Sequence, residues 1–399
     1  MQWLKARKTS TEMARRGHPN PLNSDYIISR DERILVTGSS GFIGGKVIQK
    51  LLESGFTNLR CFVRPSSDLR RLQYGLSTFD AETNVEIVTG DLLSRDGCRA
   101  AAEGVSIIYH LAAGMEKSFA GAFMNSALAT RNLMDEFLQF GTPKRFVNVS
   151  SFAVYSNLGL KRSALLDENC PLEDAPQERF DAYGFGKLKQ EEFVKEYGEK
   201  YGLPYVILRP GYVFGPGKIE LNRRVGVGTF GFFIQVNGSN LLPLTFVDNC
   251  AEAIVLAGLK ANVDGEVFNV VDDDLMTSRQ FLRGYQRKVK WFPSIRLPYS
   301  AGYTMCVLWE RYSKWSRNQL PPAFNRRRCS AEWKGNRYSN QKLKDRLGWK
   351  PRVSMEQAMK AFLSQFDHDG EDRDQKSEDR DPSAAVRKAG AASVLDLQS

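Results

Sequence analysis

The stretch from Arg33 to Ser54 limits what this chain can fold into more than any other. A short β-branched run, Arg33 to Thr37, leads straight into Thr37-Gly38-Ser39-Ser40-Gly41-Phe42-Ile43-Gly44, and a helical period follows from Gly45 to Ser54 through Val47, Ile48, Leu51 and Leu52. Strand, glycine turn and helix in that order let a phosphate reach backbone N–H groups at a helix N-terminus. There the helix dipole favours negative charge, and a side chain would block the approach. Gly38 and Gly41 make the turn and the approach, while Gly44 lets helix and sheet pack closely. The loop through Gly38, Ser40, Gly41, Phe42, Ile43 and Gly44 is therefore read as a dinucleotide site, against the plainer reading of a tight structural turn.

The same rhythm recurs along the chain. Leu59 to Val63, Val85 to Thr89, Ile107 to His110, Arg145 to Val149 and Tyr205 to Arg209 are short β-branched or aromatic runs, with helical segments such as Ala122 to Phe140 between them. This alternation implies right-handed crossovers, so the expected class is α/β, a doubly wound parallel sheet with ligand across the carboxyl ends of its strands. After Pro210 the rhythm loosens, with Gly211, Gly215, Gly217, Gly226, Gly228 and Gly231 in quick succession. The domain plan that follows is a disordered basic tail over 1–31, a domain over 32–366 and a second disordered tail over 367–399. Within the domain a cofactor core of about 32–210 precedes a smaller C-terminal substrate lobe, mostly 211–366. Neither tail has a hydrophobic period that offsets the entropy of ordering.

Composition removes several alternatives. A mean hydropathy of -0.39 and the lack of any run of about twenty apolar residues argue against a bundle of membrane spans. The net charge of +10 is not gathered into a nucleic-acid module, so no nucleic-acid partner is expected. Six cysteines without a CxxC pair fit a reducing, cytoplasmic setting, and His18, His110 and His368 are too far apart to suggest a metal site.

The GxxGxxG spacing resembles that of the extended short-chain dehydrogenase/reductases, and further matches follow in order. Gly90-Asp91-Leu92 after a strand is similar to the segment that contacts adenine, which gives Asp91 that role and Leu92 a place beside it. Tyr109-His110-Leu111-Ala112-Ala113 is similar to the strand end that passes the cofactor phosphates and ribose, which assigns Leu111, Ala112 and Ala113 to the cofactor. On residue chemistry alone, Asp91 also suits a helix N-cap and His110 a packed core position. The resemblance implies a Rossmann sheet, an NAD(P) cofactor and, frequently, helix-paired homodimers. An NAD site usually has a carboxylate at the end of the second strand; here the chain reads Cys61-Phe62-Val63-Arg64-Pro65-Ser66-Ser67, with no acid before Asp68. Arg64 is placed to pair with a 2'-phosphate, so NADP is favoured.

Tyr183-Gly184-Phe185-Gly186-Lys187 opens a helix, and the four-residue spacing stacks Tyr183 and Lys187 on one face. A free phenol has a pKa of about 10, too high for a base at neutral pH; an adjacent ammonium and an oxidised nicotinamide are expected to lower it. Asn148-Val149-Ser150-Ser151-Phe152-Ala153-Val154-Tyr155 is similar to the extended subgroup's strand end, in which the catalytic serine stands four residues before a tyrosine. The resemblance thus assigns Ser151 to the substrate oxygen, with Ser150 as the second choice. Leu208-Arg209-Pro210-Gly211-Tyr212-Val213-Phe214-Gly215-Pro216 also matches, as do Phe246-Val247-Asp248-Asn249 and Leu347-Gly348-Trp349-Lys350-Pro351. The family's helix asparagine is left unassigned: Asn125 is close by, but the best register puts Ser126 there.

The expected substrate is a small molecule. Where nucleotide-sugar enzymes of the subgroup hold a diphosphate with an asparagine and an arginine, this chain has Tyr212 and Leu242, although Arg223 and Arg224 could compensate. The later half looks closer to the branch of 3β-hydroxysteroid dehydrogenases and dihydroflavonol reductases. Hydroxyl–carbonyl interconversion on a lipophilic, sterol- or isoprenoid-like substrate is expected, with a nucleotide-sugar epimerase or dehydratase as the alternative. A non-catalytic dinucleotide sensor is the reading from another class, but its usual mark is loss of the tyrosine or lysine. Finally, Leu297 to Trp309 is apolar and aromatic with basic flanks. At about thirteen residues it is too short to cross a hydrocarbon core of about 30 Å, which leaves peripheral membrane contact or packing on the substrate lobe.

Overall fold

The computed structural model describes residues 26–79, 84–114, 118–218, 220–229, 231–317 and 319–366. Seven parallel strands form the central sheet: β1 (Ile34–Thr37), β2 (Leu59–Val63), β3 (Val85–Thr89), β4 (Ile107–His110), β5 (Arg145–Val149), β6 (Tyr205–Pro210) and β7 (Val267–Val270). Their spatial order is β3-β2-β1-β4-β5-β6-β7. Every residue of β1, β2, β4 and β5 is buried, as a parallel sheet covered on both faces requires. At the edge, β3 is largely open to solvent.

One face is covered by α1 (Gly44–Glu53) and, later in the chain, by a helix over Val247–Leu259. The other carries Arg95–Ala102, α2 (Ala129–Phe140) and α3 (Ala182–Tyr201). Thr37 pairs with His110, and His110 with Asn148, so the loops after β1, β4 and β5 leave the carboxyl edge side by side. That edge is where a doubly wound sheet takes its ligand.

The helix read over Ala122 to Phe140 is interrupted. A wide π turn, Phe123–Leu128, separates a four-residue helix, Phe119–Ala122, from α2. It passes Gly186 of α3, where an added Cβ would press on the Ala122 carbonyl and the Ser126 hydroxyl.

The smaller lobe is not one unbroken stretch. Phe214, Phe246, Phe281 and Phe362 pack together at its centre, and a three-stranded sheet of Val227–Thr229, Phe232–Val236 and Ser294–Leu297 lies beside them. Between these pieces, residues 247–270 return to the core as a helix and strand β7. The lobe ends in α4 (Tyr299–Trp315), α5 (Arg326–Trp333) and α6 (Met355–Ser364).

Of the stretch 1–31, read as a disordered tail, residues 1–25 lie outside the described residues, as does 367–399. Residues 26–31 depart from that expectation. The Ile27 amide donates to the Leu259 carbonyl at 2.9 Å, Tyr26 bridges Lys260, and Ile28 is buried in the core. Two isoleucines among polar neighbours are enough to dock this segment, because their burial repays its ordering.

Candidate active site

The glycine turn is built as a phosphate cradle. Gly38 has φ +68°, and a Cβ there would press on the Ala112 backbone, while a Cβ at Gly44 would run into the Gly38 carbonyl. Gly44 is therefore the point where α1 and the turn close together. Ser39 adds a stitch that sequence reading passed over: its buried hydroxyl donates to the Phe62 carbonyl at 3.0 Å and ties the turn to β2. The cradle fits a dinucleotide pyrophosphate, with backbone N–H groups at the start of α1.

Two clefts meet at this turn. The smaller is lined by Gly38, Ser40, Gly41, Arg64, Asp91 and Leu92, together with Leu111, Ala112, Ala113 and Asn125. Asp91 also accepts from the Leu93 amide at 2.9 Å, and the N-cap of the following helix is Ser94 instead. Arg64 is exposed at the mouth, and Asp68, the first acid after β2, is engaged with Arg70 at 2.6 Å.

The larger cleft, of about 710 Å³, is lined by Gly38, Gly41, Phe42, Ile43, Gly44, Leu111 and Ala113 on the cofactor side. Ser151, Tyr183 and Lys187 line it from β5 and α3. The Ser151 hydroxyl faces the same cleft as the Tyr183 phenol and accepts from the Ala153 amide at 3.2 Å, which caps the short 3-10 turn Phe152–Val154. Ser150 also reaches the cleft wall, but its buried hydroxyl has no hydrogen-bond partner among the described residues.

Electrostatics depart from the sequence expectation in one respect. Burial holds the Tyr183 phenol above its ordinary value; the nearby Ser151 hydroxyl opposes this, and Asp181 adds to it. The same burial brings Lys187 down to about 7, so desolvation outweighs the ammonium's expected pull on the phenol. Lys187 Nζ donates to the Val149 carbonyl at 2.6 Å and to Gln190 Oε1 at 2.8 Å. Gln190 in turn donates to Thr130, which hydrogen-bonds His110 at 2.8 Å, and His110 reaches Thr37 at 2.8 Å. His110 is thus a packed core histidine, and the chain of contacts ties Lys187 back to the end of β1.

A second network sets the position of α3. Asp181 caps it through the Gly184 amide at 2.9 Å and holds Arg179 at 2.8 Å; Arg179 also donates to the carbonyls of Ala153 and Tyr155. Arg209 forms a two-armed buried pair with Glu191, at 2.9 and 2.6 Å, and donates to Tyr155 Oη at 3.0 Å. Tyr155, the tyrosine four residues after Ser151, thus supports the site through Arg209 and Asn269. The Asp181 cap directly before an apolar helix start was legible in the sequence; the Arg179 clamp had no such signal. Ser126, close behind α3, accepts from the Gly114 amide at 3.1 Å.

The far wall is basic. Lys218, Arg223, Arg224 and Arg328 line the cleft, against Asp181 and Glu332. Lys218 sits over the Phe42 and Tyr212 rings at 5.6 and 5.3 Å, and Arg223 and Arg328 both reach Glu332, at 3.4 and 3.0 Å.

A parallel sheet with a phosphate cradle, and a Ser–Tyr–Lys group in the adjoining cleft, define a dinucleotide-dependent enzyme of the oxidoreductase or epimerase type. The chain belongs to the NAD dependent epimerase/dehydratase family, which it matches over residues 34–270. Within the extended short-chain dehydrogenase/reductases it falls in the 3β-hydroxysteroid dehydrogenase-like branch. It is 24% identical over 372 residues to mouse sterol-4-alpha-carboxylate 3-dehydrogenase, decarboxylating, covering 89% of this chain and 96% of the relative. It is 26% identical over 354 residues to a Mycobacterium tuberculosis 3 beta-hydroxysteroid dehydrogenase/Delta 5-->4-isomerase, covering 84% and 90%. In fold it is similar to UDP-glucuronic acid 4-epimerase from Bacillus cereus, solved with UDP-glucuronic acid and NAD. That match has a TM-score of 0.62 at 20% identity and covers 84% of this chain and 99% of the other.

Proposed function

We propose that this enzyme interconverts a hydroxyl and a carbonyl on a lipophilic, sterol- or isoprenoid-like substrate, with an NAD(P) cofactor. The observation that carries the reading is that Ser151, Tyr183 and, one helical turn on, Lys187 line one cleft, which the glycine cradle adjoins. Tyr183 Oη moves the proton to or from the substrate oxygen, and Ser151 Oγ donates to that oxygen and stabilises its developing charge. Lys187, held by Val149 and Gln190, keeps its amino group one helical turn from the phenol, charged in part at neutral pH. The bound nicotinamide would supply the hydride acceptor or donor, and its oxidised ring would add the positive charge that draws the phenol down. Phosphates would lie on Gly38, Gly41 and Gly44, with the adenosine between Arg64 and Asp91. The exposed Arg64, with Asp68 turned to Arg70, supports an NADP preference.

The basic far wall suits an acidic substituent on the substrate, such as the carboxylate in the mouse relative's name. It also keeps a second reading in view, a nucleotide-sugar epimerase or dehydratase whose diphosphate would meet Arg223 and Arg224. Net cofactor turnover separates the two, because an epimerase regenerates its cofactor. Purified enzyme is incubated with NAD or NADP and a panel of sterols, sterol carboxylates and nucleotide sugars, following absorbance of the reduced ring. Net reduction with a sterol alcohol is expected, faster with NADP, and Arg223→Ala should raise KM for an acidic sterol more than it lowers kcat. Isomerisation of a nucleotide sugar without net reduction would overturn the sterol reading.

A further inference from the structure

We propose that α4 and the sheet face beside it form a docking surface for an anionic lipid bilayer. The sequence left two readings for this region, and the fold divides the helix into a packed arc and an exposed one. One arc of α4 is packed: Gly302, Cys306 and Ser313 are buried, with Cys306 against Val236, Cys329 and Trp333. A different arc is bare. Met305, Leu308, Tyr312 and Trp315 are 54%, 58%, 48% and 79% exposed. At about 100° per residue these four side chains fall within about 80° of the helix circumference, a single apolar stripe.

The stripe has a neighbour on the sheet. Ile295 is opposite Ile234 in the strand register, and Ile234 packs in the cluster that α4 covers, so Ile295 faces the helix side of the sheet. Phe232, two residues before Ile234, points the same way, and both Phe232 and Ile295 are about half exposed, at 50% and 49%. Trp291, at the approach to this strand, is 75% exposed. Burying side chains of this size is worth too much for so many to stand in water by chance on one side of a lobe.

Charge selects the occupant. From Arg283 to Arg317 the chain carries eight lysines and arginines and one acid, Glu310. Arg283, Arg287, Lys290, Arg296, Arg311, Lys314 and Arg317 are exposed. A second copy would bring the same positive field to a two-fold interface and be repelled. An anionic headgroup layer is attracted to it, while Trp and Tyr side chains prefer the boundary between headgroups and acyl chains. No helix among the described residues is long and apolar enough to cross a membrane, so contact is peripheral. The surface adjoins the site: α4 packs on α5, which gives Arg328, Ala331 and Glu332 to the cleft wall.

This proposal does not depend on the substrate, and its test needs none. The full chain is sedimented with phosphatidylcholine vesicles, with and without phosphatidylserine. Pelleting is expected only with phosphatidylserine and should fall as salt rises. It should be lost in Leu308→Asp/Trp315→Asp, and Arg311→Glu/Lys314→Glu should weaken it by roughly fivefold per basic charge removed. All four side chains are on the surface, so near-native circular dichroism and melting are expected, and the charge pair still decides if the apolar pair misfolds. No pelleting with phosphatidylserine vesicles, or equal pelleting by wild type and the charge pair, overturns the proposal. So does light scattering that shows a wild-type dimer and a monomeric Leu308→Asp/Trp315→Asp variant, because the stripe is then a self-interface.

Discussion

At the scale of single residues, burial governs the chemistry of this site more than neighbouring charge does. Lys187 and His110 show it in parallel: burial lowers the first to about 7 and the second to about 3. His110 yields a measurable consequence. Its folded pKa is below its unfolded value of about 6.5, so between those limits the unfolded chain binds a proton that the native protein does not. Stability attributable to this histidine is therefore full above pH 6.5 and falls as the pH drops toward 3. The loss should approach roughly 1.4 kcal/mol per pH unit once well below 6.5. Urea unfolding of wild type and His110→Gln at pH 7 and pH 5 checks this. The variant should be less stable at pH 7, because Thr37 and Thr130 lose a fitted partner, and less sensitive to acid. Equal acid sensitivity in both proteins would contradict the burial argument.

At the scale of elements, α3 carries the proposed Tyr183–Lys187 pair and depends on contacts at its start and its middle. The Asp181 cap and Arg179 clamp fix its start to the turn after Ser151, and Glu191 pins its third turn to Arg209 of β6. Glu191→Ala leaves a buried guanidinium without its carboxylate, an expected loss of about 3–5 kcal/mol by denaturant titration. Replacing both partners by apolar residues, as in Glu191→Leu/Arg209→Met, should cost less than the single change. A larger loss in the double variant would mean that the pair's packing outweighs its charge. The elements that the sequence made legible are those with a local signal: buried β-branched strands, the glycine turn, the YxxxK spacing. The π turn before α2 has none, because it depends on Gly186 of a helix some sixty positions later coming close. The same holds for Asn249 and Trp349. Both lie in segments recognised by resemblance, yet only the fold shows that the Trp349 indole donates to the Asn249 carbonyl at 3.1 Å, joining the two in one seam.

At the scale of the whole molecule, a parallel sheet carries the glycine cradle, and a lobe assembled from separate stretches supplies the basic wall of the cleft. The first half was readable because each strand–helix unit is local; the lobe was not, since 247–270 returns to the core and leaves the lobe's parts far apart in sequence. In the cleft between the two halves, Ser151, Tyr183 and Lys187 meet a basic wall. Proton transfer at Tyr183, paired with hydride transfer on the cofactor, is the proposal on which this picture rests, and Tyr183→Phe tests it most directly. Cofactor binding by fluorescence titration should stay within about threefold of wild type, a shift of under ~1 kcal/mol. Turnover of a sterol alcohol, followed by absorbance of the reduced cofactor, should fall roughly 10²–10⁴-fold. Full turnover in that variant, with binding intact, would contradict the account.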